Sequence, residues 1–368
     1  MKASIEAPDF ADGLKIAAGL TRANSHLLAH GCIFIEATTD GTLAPGGDGA
    51  SPPRVPGGGE VFEPGDVLVP AKTVAKAVSL MEGNVDLTLD DDDSLGIETM
   101  TSRITLPTAP AESYPRLNWE GVGEAVAFDA WDLLSLITYA ADGREGRHRS
   151  ITFFPDGKAE AFSGTRLAFC HAPEGLDFAI LRSTLDFAAK TFGESEVTIS
   201  TSNGAAIFSS AGISLWTTLP QYDRKPLPMN LDLAHNVTLD RKALLEGLGL
   251  MVVIKEGDEV PVRIDVANGE LHMHASSPGQ GMVATAIPVD GDLPYATGLT
   301  LSHARDVMTR CSGERVTLEF SVEPNKPIRV VEGSVTHILN PNRKAVELNK
   351  VDLLSSTSAA ALTPSPAA

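Results

Sequence analysis

The chain has 368 residues, 43% of them apolar, enough for two or three domains that each bury a core. No apolar run is long enough to cross a bilayer as a helix, and the N-terminus lacks the basic and apolar stretches of an export signal. A formal charge of −19 argues, taken alone, against a DNA-binding surface. Cys32, Cys170 and Cys311 are far apart with no Cys-x-x-Cys, which argues against a disulfide framework or a zinc site and for a reducing cytoplasm.

In chain order, residues 1–120 read as a first domain. A strand over 3–7 leads to a helix over 10–22 capped by Asp9, then a strand over 32–37 that ends at Asp40-Gly41. Residues 44–60 are dense in glycine and proline and are expected to form a mobile loop. With no Gly-Lys-Ser/Thr ending and no following helix, they do not make a phosphate cradle. A strand over 67–70, a helix over 71–81 and strands over 85–89, 95–99 and 103–107 follow. Asp90-Asp91-Asp92-Asp93 is expected at a solvated hairpin tip. Counted as a calcium loop from Asp91, it would put Leu95 at a ligand position and Ser102 where a bidentate Glu belongs.

Residues 123–231 form a second expected domain. It has a strand over 125–128, a helix over 130–141 and the basic loop Arg144-Glu145-Gly146-Arg147-His148-Arg149. A strand over 151–154 and the Asp156-Gly157 turn lead to the glycine turn at Gly164. Next come a helix around 185–190 and strands over 197–200 and 205–208, joined by Asn203-Gly204, a two-residue hairpin signal. A third expected domain spans 235–343, with helices over 241–248 and 302–311 and a second hairpin signal at Asn268-Gly269. His272 and His274 share one strand face, but with no third ligand nearby an exposed strand face is the better reading. The Ser/Ala/Pro-rich residues 344–368 read as a disordered tail.

The strongest feature is a repeat. A helix followed by an antiparallel meander occurs at 71–107, 185–218 and 302–339, a period of domain size rather than of a solenoid. With Gly164-Thr165-Arg166-Leu167-Ala168, Leu219-Pro220-Gln221-Tyr222-Asp223-Arg224, Met1-Lys2 and Asp40-Gly41-Thr42-Leu43, the chain resembles the bacterial-type DNA sliding clamp, the β subunit of DNA polymerase III, over residues 1 to about 343. The resemblance implies an α+β fold of three repeated clamp domains, each with two helices packed on antiparallel sheets. It further implies a ring made by a head-to-tail homodimer and a non-catalytic processivity factor that encircles double-stranded DNA. The polymerase and the clamp loader would be held by short peptide motifs in a groove between the second and third domains.

The positions matching that groove are Gly164, Thr165, Arg166, Leu167, Pro228, Ile338, Leu339, Asn340 and Pro341. Leu167, Pro228, Leu339 and Pro341 would be apolar walls and Arg166 a donor to the peptide. Thr165 stands where the family carries His, and Asn340 and Asn342 where it carries apolar residues. Six helices are expected, one per half-domain. Their basic residues, with those of the 144–149 loop, are Lys15, Arg22, Lys72, Lys76, Arg144, Arg147, Arg149, Arg182, Lys190, Arg241, Lys242, Arg305 and Arg310. On the clamp reading these meet DNA phosphates without reading sequence, while the acidic exterior keeps DNA in the channel.

No metal or cofactor is expected, and no Gly-x-Ser-x-Gly or His-Glu-x-x-His motif supports an enzyme. The rival readings are an acidic β-rich hydrolase using Asp90–93 with His272 and His274, and a structural or interaction protein without DNA contact. The divergent loops and tail suggest a viral or otherwise specialised copy, working in a bacterial or host cytoplasm.

Overall fold

The computed structural model describes residues 1–347 apart from 21–30, 39–42, 47–58, 91–92, 114–122, 124, 129–132, 144–145, 194, 203, 211–212, 221, 223, 228–230, 255–259 and 278–279. Six half-units recur along it, each a strand running into a helix and then antiparallel strands. The first is Lys2–Glu6, Ala7–Leu20, Cys32–Ala37 and Leu43–Gly46; the second is Gly65–Pro70, Ala71–Val78, Asn84–Leu89, Ser94–Glu98 and Arg103–Pro107. The third is Val126–Phe128, Leu133–Ile137, Ser150–Phe154, Lys158–Phe162 and Arg166–His171; the fourth is Phe178–Leu181, Arg182–Phe192, Val197–Ser202, Ala205–Ser210 and Ile213–Thr218. Leu233–Asp240, Arg241–Leu250, Pro261–Ala267, Glu270–Ser277 and Gly281–Gly291 make the fifth. Thr297–Thr300, Leu301–Arg310, Arg315–Ser321, Ile328–Glu332 and Val335–Leu339 make the sixth. The six expected helices are all present.

Two stretches depart from expectation. Leu43–Gly46 is a strand paired with Cys32–Ala37, and Glu60–Glu63 pairs with Lys2–Glu6, so the glycine- and proline-rich segment begins and ends in sheet. Both pairings sit beside core strands, whose backbone groups need partners whatever the neighbour's composition. Arg343–Glu347 is a short helix that packs on Thr297–Thr300, so order extends past Lys344; the rest of the expected tail, 348–368, lies outside the described residues.

The chain divides into two units. Unit 1 comprises Met1–Ser135 with Phe178–Gln221. Its helix Ala71–Val78 buries Ala71, Val74, Ala77 and Val78, one face at helical spacing. That face meets Phe10, Leu14 and Ala17 of Ala7–Leu20 over Ile33, Ile35, Val85, Leu87, Leu95 and Ile97 of the sheets. Strand Arg103–Pro107 is the last of its sheet. The acidic hairpin closes between Leu89 and Leu95, with Asp93 at φ 57° and Asp90 N–H donating to Ser94 O at 2.9 Å.

Unit 2 comprises Leu136–Asp177 with Tyr222–Ala368. One sheet runs through it in the order Ser150–Phe154, Lys158–Phe162, Arg166–His171, Val335–Leu339, Ile328–Glu332, Arg315–Ser321, Leu233–Asp240, Gly281–Gly291, Glu270–Ser277, Pro261–Ala267 and Thr297–Thr300. The Asn268-Gly269 turn has φ of 56° and 77° and joins Ala267 directly opposite Glu270, the two-residue geometry that the sequence signals. Helices Arg241–Leu250 and Leu301–Arg310 pack against each other. Asp240 caps the first, its Oδ1 accepting from Ala243 N–H at 2.7 Å. Asp240→Ala is expected to cost about 1 kcal/mol and lower the thermal midpoint by about 2 °C, as read by calorimetry.

Candidate peptide and DNA sites

The groove positions split by strand parity. Arg166–His171 and Val335–Leu339 pair antiparallel, placing Arg166 opposite Leu339, Leu167 opposite Ile338 and Ala168 opposite His337. Alternation therefore sends Leu167 and Ile338 to one face of the sheet and Arg166, His337 and Leu339 to the other. Two bonds fasten the ends. Asn340 N–H donates to Thr165 O at 3.3 Å, and Asn340 Nδ2 donates to Gly164 O at 3.0 Å. Gly164, at φ 88°, makes the turn that lets Ser163 N–H reach Arg166 O at 3.0 Å. The structure thus brings Gly164, Thr165, Arg166, Leu167, Ile338, Leu339 and Asn340 together, with Pro341 next in the chain. Pro228 lies outside the described residues.

On the Leu167 face, Phe162 stands directly opposite Leu167 and Arg329 opposite Ile338. Phe162 is edge-on to His148 and beneath Arg147, whose guanidinium carbon is 5.9 Å from the ring centroid. Arg329 donates to Glu319 at 2.5 Å, a hydrogen bond that holds its charged form more firmly than usual. The segment leading to Pro228 is anchored on the same face, Tyr222 Oη lying 3.1 Å from Thr152 Oγ1. A floor of Phe162, Leu167 and Ile338, edged by Arg329 and the exposed Thr165 and Asn340, suits an extended peptide with apolar side chains. Phe162 was not among the expected residues. Its place opposite Leu167, the two standing symmetrically about the Gly164-Thr165 turn, was the signal.

Behind that floor is a polar network. Arg166, 6% exposed, pairs with Asp142 and donates to Asp306 Oδ2 at 2.6 Å. Its guanidinium carbon lies 5.6 Å from the Tyr139 ring centroid, and that of Arg310 lies 4.5 Å from it. Tyr139 Oη and His337 Nδ1 share a 2.9 Å hydrogen bond. Burial pushes the Tyr139 phenol well above its usual range and draws His337 down to about 4, with Arg310 adding to the second effect against Glu332.

The basic residues also sort. Lys15, Lys72 and Lys76 are exposed on two helices of unit 1 that pack together, and Lys190 is exposed on Arg182–Phe192, which touches Ala7–Leu20. Lys242 and Arg305 are exposed on the packed helix pair of unit 2, and Arg149 is exposed on the turn Gly146–Arg149. Four others are engaged within the chain. Arg147 pairs with the buried Glu160, and Arg182 with Asp186 at 3.3 Å. Arg241 donates to the carbonyls of Gly313 and Met308 at the end of Leu301–Arg310, and Arg310 stacks on Tyr139. Arg22 and Arg144 lie outside the described residues. His272 and His274 stack with ring centroids 6.5 Å apart. Among the described residues no three His, Cys, Asp or Glu side chains gather as a metal centre, and no helix is long and apolar enough to cross a membrane.

No protein-family model matches the chain. It is 25% identical over 318 residues to the β sliding clamp of Caulobacter vibrioides, covering 77% of this chain and 84% of that one. The β sliding clamp of Pseudomonas putida is 24% identical over 289 residues, covering 71% and 77%. The crystal structure of the Caulobacter crescentus DNA polymerase sliding clamp superposes with a TM-score of 0.82 at 22% identity, over 93% of this chain and all of that one. The β subunit of DNA polymerase III from Pseudomonas aeruginosa gives 0.82 at 18% over the same shares. The chain is a divergent relative of the bacterial-type DNA sliding clamps and has their fold.

Proposed function

We propose that this chain is the processivity clamp of a DNA polymerase, with no catalytic activity of its own. The observation that carries the reading is the sixfold strand–helix–meander recurrence, which matches the clamp fold along 93% of the chain. Three clamp domains, 1–120, 123–231 and 235–343, pair these half-units. Two chains joined head to tail would close a ring around duplex DNA, in the cytoplasm where replication takes place. The exposed Lys15, Lys72, Lys76, Arg149, Lys190, Lys242 and Arg305 supply phosphate contacts, while the charge of −19 keeps the exterior repellent to DNA. Such contacts carry no sequence information and permit sliding. The polymerase and the clamp loader dock by a peptide on the Phe162–Leu167–Ile338 face.

The ring needs an interface, and the surface offers its parts. Leu250 and Val253 are 55% and 79% exposed at the end of one helix and in the turn after it, and Arg103–Pro107 offers a strand edge. An apolar pair and an open strand edge on different parts of one chain suit a head-to-tail contact between copies.

The test is extension of a primed circular template by the polymerase of the same genome, with clamp and loader added. Products lengthened only when the clamp is present support the reading. Unchanged products together with single, ringless particles by negative-stain microscopy reject it. Lys72→Ala with Lys76→Ala is expected to shallow the dependence of log affinity for duplex DNA on log salt by about 1 to 2 units, without loss of the ring.

A further inference from the structure

We propose that Arg166 is a positioning residue of the peptide site, holding its floor in place from behind and making no contact with the peptide. The inference rests on the reading of the Leu167 face as the docking site. Arg166 and Leu167 are consecutive in one central strand, so their side chains leave opposite faces of the sheet. A peptide lying on Leu167, Phe162 and Ile338 is therefore separated from the Arg166 guanidinium by the sheet itself.

The partners of Arg166 explain its place. Asp142 follows the turn Thr138–Ala140, and Asp306 sits in helix Leu301–Arg310. One planar guanidinium bonded to both ties strand, turn and helix at the point where Arg166 faces Leu339. Arg310 reinforces the tie, donating to Asp306 O at 2.8 Å while covering the Tyr139 ring. The chain then turns outward at Asn340, whose two hydrogen bonds to Gly164 and Thr165 set the rim. A strand end fixed on both sides offers the peptide a preformed surface, which lowers the ordering cost of binding.

Positioning and direct contact give different results in a double-mutant cycle. The probe is a short fluorescein-labelled peptide from the replicative polymerase of the same genome, and polarisation is read on the full-length dimer. Asp142 and Asp306 are partly exposed, with side-chain exposures of 40% and 43%, and Asp142→Asn with Asp306→Asn keeps their shape and leaves an amide oxygen at each to accept from Arg166; circular dichroism checks that the fold is retained. The expected result is about a tenfold loss of peptide affinity in that pair, with Arg166→Ala adding less than about twofold on top, since coupled partners are not additive. Wild-type affinity in the Asn pair alongside a large loss in Arg166→Ala would overturn the proposal and make Arg166 a peptide contact. A wild-type ring that supports processive synthesis yet binds no polymerase peptide would instead remove the docking-face reading, and this inference with it.

Discussion

Replacing Val253 with aspartate is expected to leave each chain folded and to split the dimer. The side chain is 79% exposed, and surface substitutions of this kind change stability by no more than about 0.5 kcal/mol. In a closed ring the same position would lie against the second copy, where an unpaired carboxylate costs several kcal/mol. The contact occurs twice in a closed ring, so a loss of about 3 kcal/mol at each occurrence weakens association by about four orders of magnitude. Sedimentation equilibrium at micromolar concentration should then give the mass of a single chain, 38.7 kDa, and stimulation of the polymerase should fall with it. Leu250→Asp should behave alike, because Leu250 and Val253 form one exposed apolar step. A Val253→Asp protein that still sediments as a dimer would place the interface elsewhere. Two-site disruption is severe in a ring, because a head-to-tail dimer uses the same contact twice.

The sequence made the half-units legible because each carries local signals. Asn268-Gly269 marks its hairpin by the positive φ that both residues adopt, and Val74, Ala77 and Val78 mark a helix face by spacing. What it could not show is which way Arg166 points. Leu167 and Phe169 alternate with Ala168 and Cys170, so both faces of that strand are apolar and parity alone does not say which one meets the helix. Nor could it separate exposed arginines from those engaged within the chain. Arg147 meets Glu160, Arg241 meets the carbonyl of Gly313, and Arg310 meets Tyr139, partners up to 171 positions distant that only the register brings close. The exposure of Lys72 and Lys76 follows from helix spacing alone, with no distant partner to find. The glycine- and proline-rich 44–60 segment misled at its ends because composition weighs a residue's own preferences, whereas Leu43–Gly46 and Glu60–Glu63 are held by strands already in the core.

His337 should make the stability of this chain fall as the solution is acidified. The ring is 1% exposed beside Tyr139, with Arg310 and Glu332 as its charged neighbours, and burial holds it near 4 against an ordinary 6.5. Between those values the unfolded chain binds a proton that the folded chain refuses. The unfolded state is therefore favoured as pH drops, and stability rises with pH through the same window. The full difference is on the order of 3 kcal/mol, reached below both values. About 1.3 kcal/mol of it should already be lost between about pH 7.5 and pH 5.5, above the isoelectric region near 4.8. Other groups titrate in this range too, so the measurement is a difference. Urea unfolding of wild type and His337→Gln is followed at both pH values, glutamine keeping an acceptor for Tyr139 without a titrating ring. The gap between the two proteins should narrow by about 1 kcal/mol at the lower pH, because only wild type carries the penalty. Parallel curves would mean that His337 gains its proton as easily folded as unfolded, and that the layer behind the Arg166 strand is open to water. The same protonation would put a second cation beside Arg310, against the Tyr139 ring that Arg166 also covers, so acidification should weaken the polar layer that backs Leu339 before it disturbs the floor formed by Leu167 and Ile338.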